Sequence, residues 1–275
     1  MRRYFTTFYH VEARMCTPYH AVDYLHPEWT NFRFHDGYKP VSTNYRGDCV
    51  SNAGFYVTGP SSRAVKFEFD DSIRVWGVGI LPLGWAKFIR ADAADWADAL
   101  VDGNRTPAFA DFAGLADTLF QGEPDVDGEL ARITDWFAAR LDRPVPDEDR
   151  IVAVHTALVD PEVVSVTDLV ARTGISQRTV ERICHRAFGF SPKLLLRRQR
   201  FLRSLAKYAL DPSLKWIGAL DGQYHDQAQF VRDFKQFMGM TPRQYAALEK
   251  PMLSAVMRER ARFAGKAVQA LDAPD

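Results

Sequence analysis

The chain is short of cysteine, of long apolar runs and of net charge. Its 275 residues hold three cysteines, Cys16, Cys49 and Cys184, far apart and with no Cys-x-x-Cys pair. That usage fits reduced thiols in a cytoplasm and supports neither a disulfide framework nor a zinc site. No stretch approaches the roughly 18 uninterrupted apolar residues that a membrane span requires. The first residues, Met-Arg-Arg-Tyr-Phe-Thr-Thr, lack the apolar core of a secretion signal. A soluble cytoplasmic protein with no membrane partner is expected. At 47% hydrophobic and 25% charged residues, the composition is that of a globular protein and argues against disorder. Gly-x-Ser-x-Gly, Walker A and dinucleotide fingerprints are all missing. His10, His20, His26 and His35 are scattered, without a His-x-His pair. We therefore expect no catalytic residue, no metal and no cofactor.

The zero net charge conceals a division. Residues 1–150 carry a net −7, residues 151–250 a net +6 and residues 251–275 a net +1. Between positions 172 and 207, ten basic residues (Arg172, Arg178, Arg182, Arg186, Lys193, Arg197, Arg198, Arg200, Arg203 and Lys207) face one acid, Glu181. Blockwise segregation of this kind indicates two modules with different partners. A basic block releases counterions on meeting phosphates, so the second module points to nucleic acid.

Secondary-structure signals divide the chain at the same place. Tyr4–Ala13, Trp29–His35, Gly54–Thr58, Ala64–Phe69 and Arg74–Leu81 read as strands, with turn clusters between them. From Pro82 the apolar period becomes helical, and Gly84–Ile89, Ala93–Leu100, Phe109–Phe120 and Glu129–Leu141 are predicted as helices. Arg143-Pro-Val-Pro-Asp-Glu-Asp149 reads as a linker, and nothing after Ile151 is strand-like. The fold class expected is α+β in two domains: a mainly-β, barrel-like N-terminal domain with trailing helices (1–145) and an all-α domain (150–248), with a helical tail at 251–275.

The all-α part repeats itself loosely. In the first copy Ser165 and Asp168 open a short helix, Gly174 ends it, and Ser176 caps the next. Two helices joined by a tight glycine turn make a helix-turn-helix. On the second helix, Val180, Ile183, Cys184 and Phe188 share one face, and Arg178, Glu181, Arg182 and His185 the other. Arginine can read guanine and glutamate cytosine in a major groove. In the second copy Asp226 is the N-cap, and Phe230, Phe234 and Phe237 form the inward stripe. Ala228, Gln229, Arg232, Lys235 and Gln236 lie opposite. Between the copies, Lys193–Leu210 reads as a basic helix roughly 27 Å long, a strut able to hold two recognition helices near successive major grooves about 34 Å apart.

These residues resemble the AraC/XylS family of bacterial transcription regulators over about 151–247. The resemblance rests on Ser176-x-Arg-x-Val-x-Arg182, Phe188-Gly-Phe-Ser-Pro192, Arg197-Arg-x-Arg-Phe201, Tyr224-His-Asp-Gln-Ala-Gln-Phe-Val-Arg-Asp-Phe234 and Gly239-Met-Thr-Pro-Arg-Gln-Tyr245. It implies two helix-turn-helix subdomains joined by a linker helix and bound to double-stranded DNA. Carried onto matching positions, it assigns base reading to Arg178, Glu181, Arg182 and His185, and to Gln227, Ala228 and Arg232, with Gln229 added from the helical wheel. Phosphate contacts fall to Arg172, Ser176, Lys193, Arg198 and Lys235. Three positions depart from the family pattern: Gln223 for a usual Gly, Gln229 for a common His, and Cys184 for a larger core residue. Upstream, Gly59-Pro-Ser-Ser-Arg-Ala and Trp76-Gly-Val-Gly-Ile-Leu-Pro-Leu-Gly84 are similar to an uncharacterised domain found fused to this module. That likeness implies effector sensing or dimerisation, with a small-molecule effector, a second copy of the chain and RNA polymerase as further partners. The competing reading makes the N-terminal domain a small-molecule-binding or catalytic barrel, with DNA binding secondary.

Overall fold

A computed structural model describes residues 1–14 and 19–274. Cys16 lies outside the described residues, and Cys49 and Cys184 are free thiols, one exposed and one buried. Among the described residues, nine strands occupy the N-terminal part: β1 (Phe5–Ala13), β2 (Ala21–Leu25), β3 (Thr30–Asp36), β4 (Val41–Thr43), β5 (Cys49–Val50), β6 (Phe55–Thr58), β7 (Val65–Phe69), β8 (Ile73–Ile80) and β9 (Leu100–Asp102). They form two sheets, ordered β1-β8-β3-β6-β9 and β2-β7-β4-β5, with every pairing antiparallel.

The five predicted strands are present within a residue or two. β4, β5 and β9 carry two or three residues, too few to show a period, and tertiary pairing makes them; β2, five residues long, is not among the predicted strands. One expectation is corrected here. The helical spacing over Ala93–Leu100 yields only a 3-10 turn at Ala93–Trp96, after which the chain runs into β9. Asp98 breaks the helix by taking a left-handed backbone, φ 59°. Its carboxylate accepts the Ser62 N–H at 2.6 Å and the Ser62 hydroxyl at 2.9 Å, long-range bonds that outcompete a local helix.

β3 lies at the centre of its sheet and is covered on both sides, so its period-2 alternation separates two environments. Phe32 and Phe34 face the helices, where Phe32 meets Phe112 edge-on at 4.6 Å. Asn31, Arg33 and His35 face the second sheet and are all buried. Arg33 is held there by Glu28, donating to its two oxygens at 2.8 and 3.1 Å and to the Thr58 hydroxyl at 2.9 Å. A buried pair of this geometry satisfies both charges, and removing one partner would strand the other.

Among the described residues, eleven α-helices follow or flank the sheets: α1 (Pro82–Phe88), α2 (Ala113–Leu119), α3 (Val126–Ala138), α4 (Glu148–Val159), α5 (Val166–Thr173), α6 (Gln177–Ile183), α7 (Pro192–Leu210), α8 (Lys215–Ala219), α9 (Gln227–Met238), α10 (Pro242–Ala247) and α11 (Leu253–Ala264). Among the described residues none is long and apolar enough to cross a membrane. The predicted caps are in place. Ser165 and Asp168 close a reciprocal capping box on α5, and Gly174 ends that helix at φ 67°, a conformation that costs L side chains energy. Ser176 caps α6, Ser191 caps α7 and Asp226 caps α9. Ser165→Ala should lower stability by about 1 kcal/mol, read as an earlier urea midpoint at unchanged slope. An unchanged midpoint would deny the cap any energetic role.

The helical part does not stand apart from the sheets. The Ala64 N–H donates to the Phe237 carbonyl at 2.8 Å, and His26 pairs with the Tyr245 hydroxyl at 2.8 Å. One apolar core runs from Phe32 and Trp85 through Phe188 and Leu205 to Phe234 and Met257.

Candidate nucleic-acid interface

α6 takes its place because Val180, Ile183 and Cys184 are buried with Leu169 of the preceding helix. That packing leaves Arg178, Glu181, Arg182 and His185 exposed together on the other side, as their spacing predicts. The helix is shorter than expected. It is α-helical to Ile183, then makes one π-helical turn over Cys184–Phe188 before Gly189 turns left-handed at φ 83°. A side chain at Gly189 would stand 3.1 Å from both Pro60 and the Ala93 carbonyl, so glycine also permits the close approach to the N-terminal domain.

α9 is set by a stripe of Phe230, Phe234 and Phe237, each at most 1% exposed. Phe234 meets Trp216 edge-on at 4.9 Å and Tyr245 at 5.6 Å. Gln227, Ala228, Arg232 and Lys235 are exposed, whereas Gln229 is half-buried. The Gln229 side-chain oxygen accepts the His225 N–H at 3.3 Å while its own N–H reaches the Asp226 carboxylate at 2.6 Å. Gln229 therefore serves the helix cap, and the exposed side chains on this face are those of its neighbours. Gln223, which replaces a usual glycine, needs no left-handed backbone. Its side chain accepts from Arg203 at 3.0 Å and donates to the Pro161 carbonyl.

The basic helix is largely internal. Arg197 and Arg200 both pair with Asp233, at 2.6 and 3.0 Å, and Arg203 pairs with Asp221 at 2.5 Å. These acids come from the second copy, so the folded chain neutralises much of the charge that the linear count left free. Arg198 is a correction. Expected at a phosphate, it is 0% exposed and sits over the Trp29 ring at 4.1 Å. It donates to the carbonyls of Ser61 and Glu28 at 2.8 and 3.3 Å. The basic block and the family resemblance point it at a phosphate, but the N-terminal domain covers it. Arg172, Ser176 and Lys193 remain exposed, with Arg172 paired to Asp160 at 2.7 Å and the Ser176 hydroxyl accepting the Thr179 N–H.

Sequence reasoning passed over Arg186, which is exposed one turn beyond Arg182; the i+4 spacing was the available signal. Both arginines meet acids from upstream: Arg182 with Asp147 at 3.0 Å and Arg186 with Asp92 at 3.3 Å. The Arg182 guanidinium, hydrogen-bonded to Asp147, holds that carboxyl below its usual range. Asp147→Asn should release Arg182 and tighten DNA binding up to about fivefold, the scale of a surface ion pair. Fluorescence anisotropy on one DNA fragment checks this, and weaker binding would contradict it.

Two short helices, each reached through a capped turn from a packed partner, thus present exposed arginines from one structural unit. Residues 169–247 match the family model described as a helix-turn-helix domain. This region is an AraC-type helix-turn-helix domain. That domain is of the DNA-binding helix-turn-helix class and spans α5 to α10 apart from the first three residues of α5. No curated protein matches the chain. Among solved structures, the chain is similar to ToxT from Vibrio cholerae, with 11% identity, a TM-score of 0.46, and coverage of 87% of this chain and 97% of that one. ToxT bound to (E)-4-(8-methylnaphthalen-1-yl)but-3-enoic acid is similar at 10% identity and TM-score 0.46, covering 87% and 98%. Unsaturated fatty acid bound wild-type ToxT, strain SCE256, is similar at 10% identity and TM-score 0.44, covering 90% and 97%.

Proposed function

We propose that α6 and α9 enter successive major grooves of one operator and that the N-terminal domain controls their access. The observation that carries this reading is the exposure of both arginine-bearing faces from a single strut, the 19 residues of α7, about 28 Å at 1.5 Å per residue. Arg178, Glu181, Arg182 and His185 read bases in one groove, and Gln227, Ala228 and Arg232 in the next. Arg172, Ser176, Lys193 and Lys235 take phosphates, joined by Arg186. In this division residues 1–145 are the control domain, 150–248 the DNA-binding domain and 251–275 a tail, and the regulator acts in the cytoplasm. A small-molecule effector, pairing of two copies and contact with RNA polymerase are the routes by which control would reach transcription.

Footprinting of the purified protein on the upstream region of its own gene, across a salt series, tests this. A protected site of about two helical turns is expected, with affinity falling steeply as salt rises. Weak binding that is equal on every fragment would defeat the operator reading.

A further inference from the structure

The tail and α6 each border a cavity at the N-terminal domain, and the two differ in chemistry. The tail is tied down onto the sheets. The Met252 and Leu253 N–H groups donate to the Asp23 carboxylate at 3.0 and 2.8 Å, and Asn31 donates to the Gln269 side-chain oxygen at 2.6 Å. The cavity of about 100 Å³ beneath it is walled mostly by apolar side chains, Val11, Phe67 and Val75 among them. The space beside α6 is a cleft of about 430 Å³, a size at which pockets commonly hold a small molecule. Its wall is cationic. Lys87 of α1 and Arg90 just beyond that helix stand on one side, with Arg143 of the segment before α4, and Arg182 and Arg186 complete it.

Five cations here face two acids, Asp92 and Asp147. Both acids are already taken, by Arg186 at 3.3 Å and Arg182 at 3.0 Å. Lys87 is buried, and its ammonium donates only to carbonyls, those of Leu141 and Arg143. Arg90 is exposed and Arg143 half-buried, and neither has an acid partner among the described residues. The cleft therefore keeps an excess of three positive charges, inside a stretch of chain whose net charge is −7.

That excess selects the guest. A phosphate monoester carries about two negative charges at pH 7 and three acceptor oxygens, and arginine forks match its geometry in bidentate pairs. Ile89, Pro144 and Pro146 on the same wall give an organic body an apolar face to rest on. DNA fits less well, although α6 borders the cleft. The stretch that carries Arg143 also holds Asp142, Asp147, Glu148 and Asp149, which oppose a long polyanion lying along it. A small anion needs only the cleft.

We propose that this cleft binds a small organic phosphate, with Arg90 and Arg143 holding the phosphate group and the organic body lying against Pro144 and Pro146. The site itself stands on the cleft and its unpaired arginines. Its effect on DNA rests on the proposed base reading by Arg182. The ion pairs of Arg182 and Arg186 are partly exposed and therefore weak, so an occupant draws both side chains toward itself and away from an operator.

Isothermal titration of the full chain in phosphate-free buffer tests the site, with ribose 5-phosphate, phenyl phosphate, ribose, phenol and sulfate as probes. At least one of the two phosphates should bind saturably below about 1 mM. Ribose and phenol should give no heat, and sulfate should bind at least about tenfold more weakly for want of a body. Arg90→Gln/Arg143→Gln should weaken the phosphate at least about tenfold, the scale of a lost charged hydrogen bond. Asp92→Asn should tighten it by about twofold to fivefold, a gain that a misfolded protein cannot show. Arg105→Gln, exposed and outside the cleft, removes the same charge elsewhere and should behave as the parent.

The proposal is overturned if neither phosphate saturates, or if the folded Arg90→Gln/Arg143→Gln protein binds as the parent does. Sulfate bound as tightly as the organic phosphates would mean an adventitious ion only. Silence with every free phosphate, together with a salt slope of operator binding lowered by about two in the double variant, would assign the arginines to the DNA backbone and overturn it as well. Operator affinity measured with and without the bound phosphate separates the two readings. A severalfold loss is expected; an unchanged affinity upholds the site and overturns its link to Arg182.

Discussion

Acidification from pH 6 to pH 4 is expected to unfold the protein steeply. Burial holds His26, His35 and His155 neutral, each with a folded-state pKa near 3. Lys250 adds to the effect at His26, Arg33 at His35 and Arg198 at His155. In the unfolded chain each titrates near 6.5. Between those values the unfolded state binds more protons than the folded state, so stability rises with pH and is lost as pH falls below about 6.5. Three histidines contribute a slope of about 4 kcal/mol per pH unit at most, against a total stability of about 5–15 kcal/mol. Exposed His20, held up by Asp70, works in the opposite sense. Urea midpoints at pH 7.5, 6, 5 and 4.5 measure the slope, and His155→Phe should remove about a third of it. A flat profile across that range would mean that the imidazoles are not buried neutral. Because His26 meets Tyr245 and His155 lies 5.1 Å from Trp29 and 5.7 Å from Phe188, the first structure lost on acidification should be the seam between the two domains.

The double variant Arg182→Ala/Arg232→Ala should lose operator binding by about 30-fold to 10⁴-fold. Each arginine stands on a different helix with its side chain exposed, and loss of one base contact costs about 1–3 kcal/mol. Separate sites add, giving roughly 2–6 kcal/mol together, and each tenfold loss corresponds to about 1.4 kcal/mol. Folding stability should change by no more than about 1 kcal/mol, because the one ion pair lost, Arg182 with Asp147, is at the surface. Anisotropy titrations on the footprinted site and on a scrambled site check both strength and discrimination. Each single variant should relax the preference at one base position. If the double variant bound the operator as the parent does, the recognition faces would lie elsewhere.

Legibility in the sequence followed the range of the interactions. Ser165, Gly174, Ser176 and Asp226 act on residues two to four positions away, and all four do in the structure what their spacing predicts. The apolar stripes of α6 and α9 are equally local. What failed was decided at a distance. Asp98 leaves the helical pattern to bond Ser62, and Arg198 is buried by Trp29 and by carbonyls more than a hundred residues upstream. Gln229 is half-buried, and its side-chain oxygen accepts the His225 N–H beside the cap of its own helix, a local bond that a helical wheel does not display. The basic block was a sound sign of nucleic-acid binding, yet Asp221 and Asp233 return to neutralise three of its arginines. The tail read only as helical, because nothing within it names Asp23 or Asn31 as partners.

That last arrangement bears on how the protein is made. A ribosome delivers β2, which supplies Asp23, well over two hundred residues before it delivers Met252 and Leu253. The sheets can pair as soon as β9 has emerged, but their inner cavity keeps an open wall until the last of the DNA-binding helices has been synthesised. Domains generally fold in the order of their synthesis, N-terminal first; here the first to begin is among the last to be completed. A nascent regulator stalled at residue 250 would carry both recognition helices and an unfinished control domain, with Val11, Phe67 and Val75 facing water.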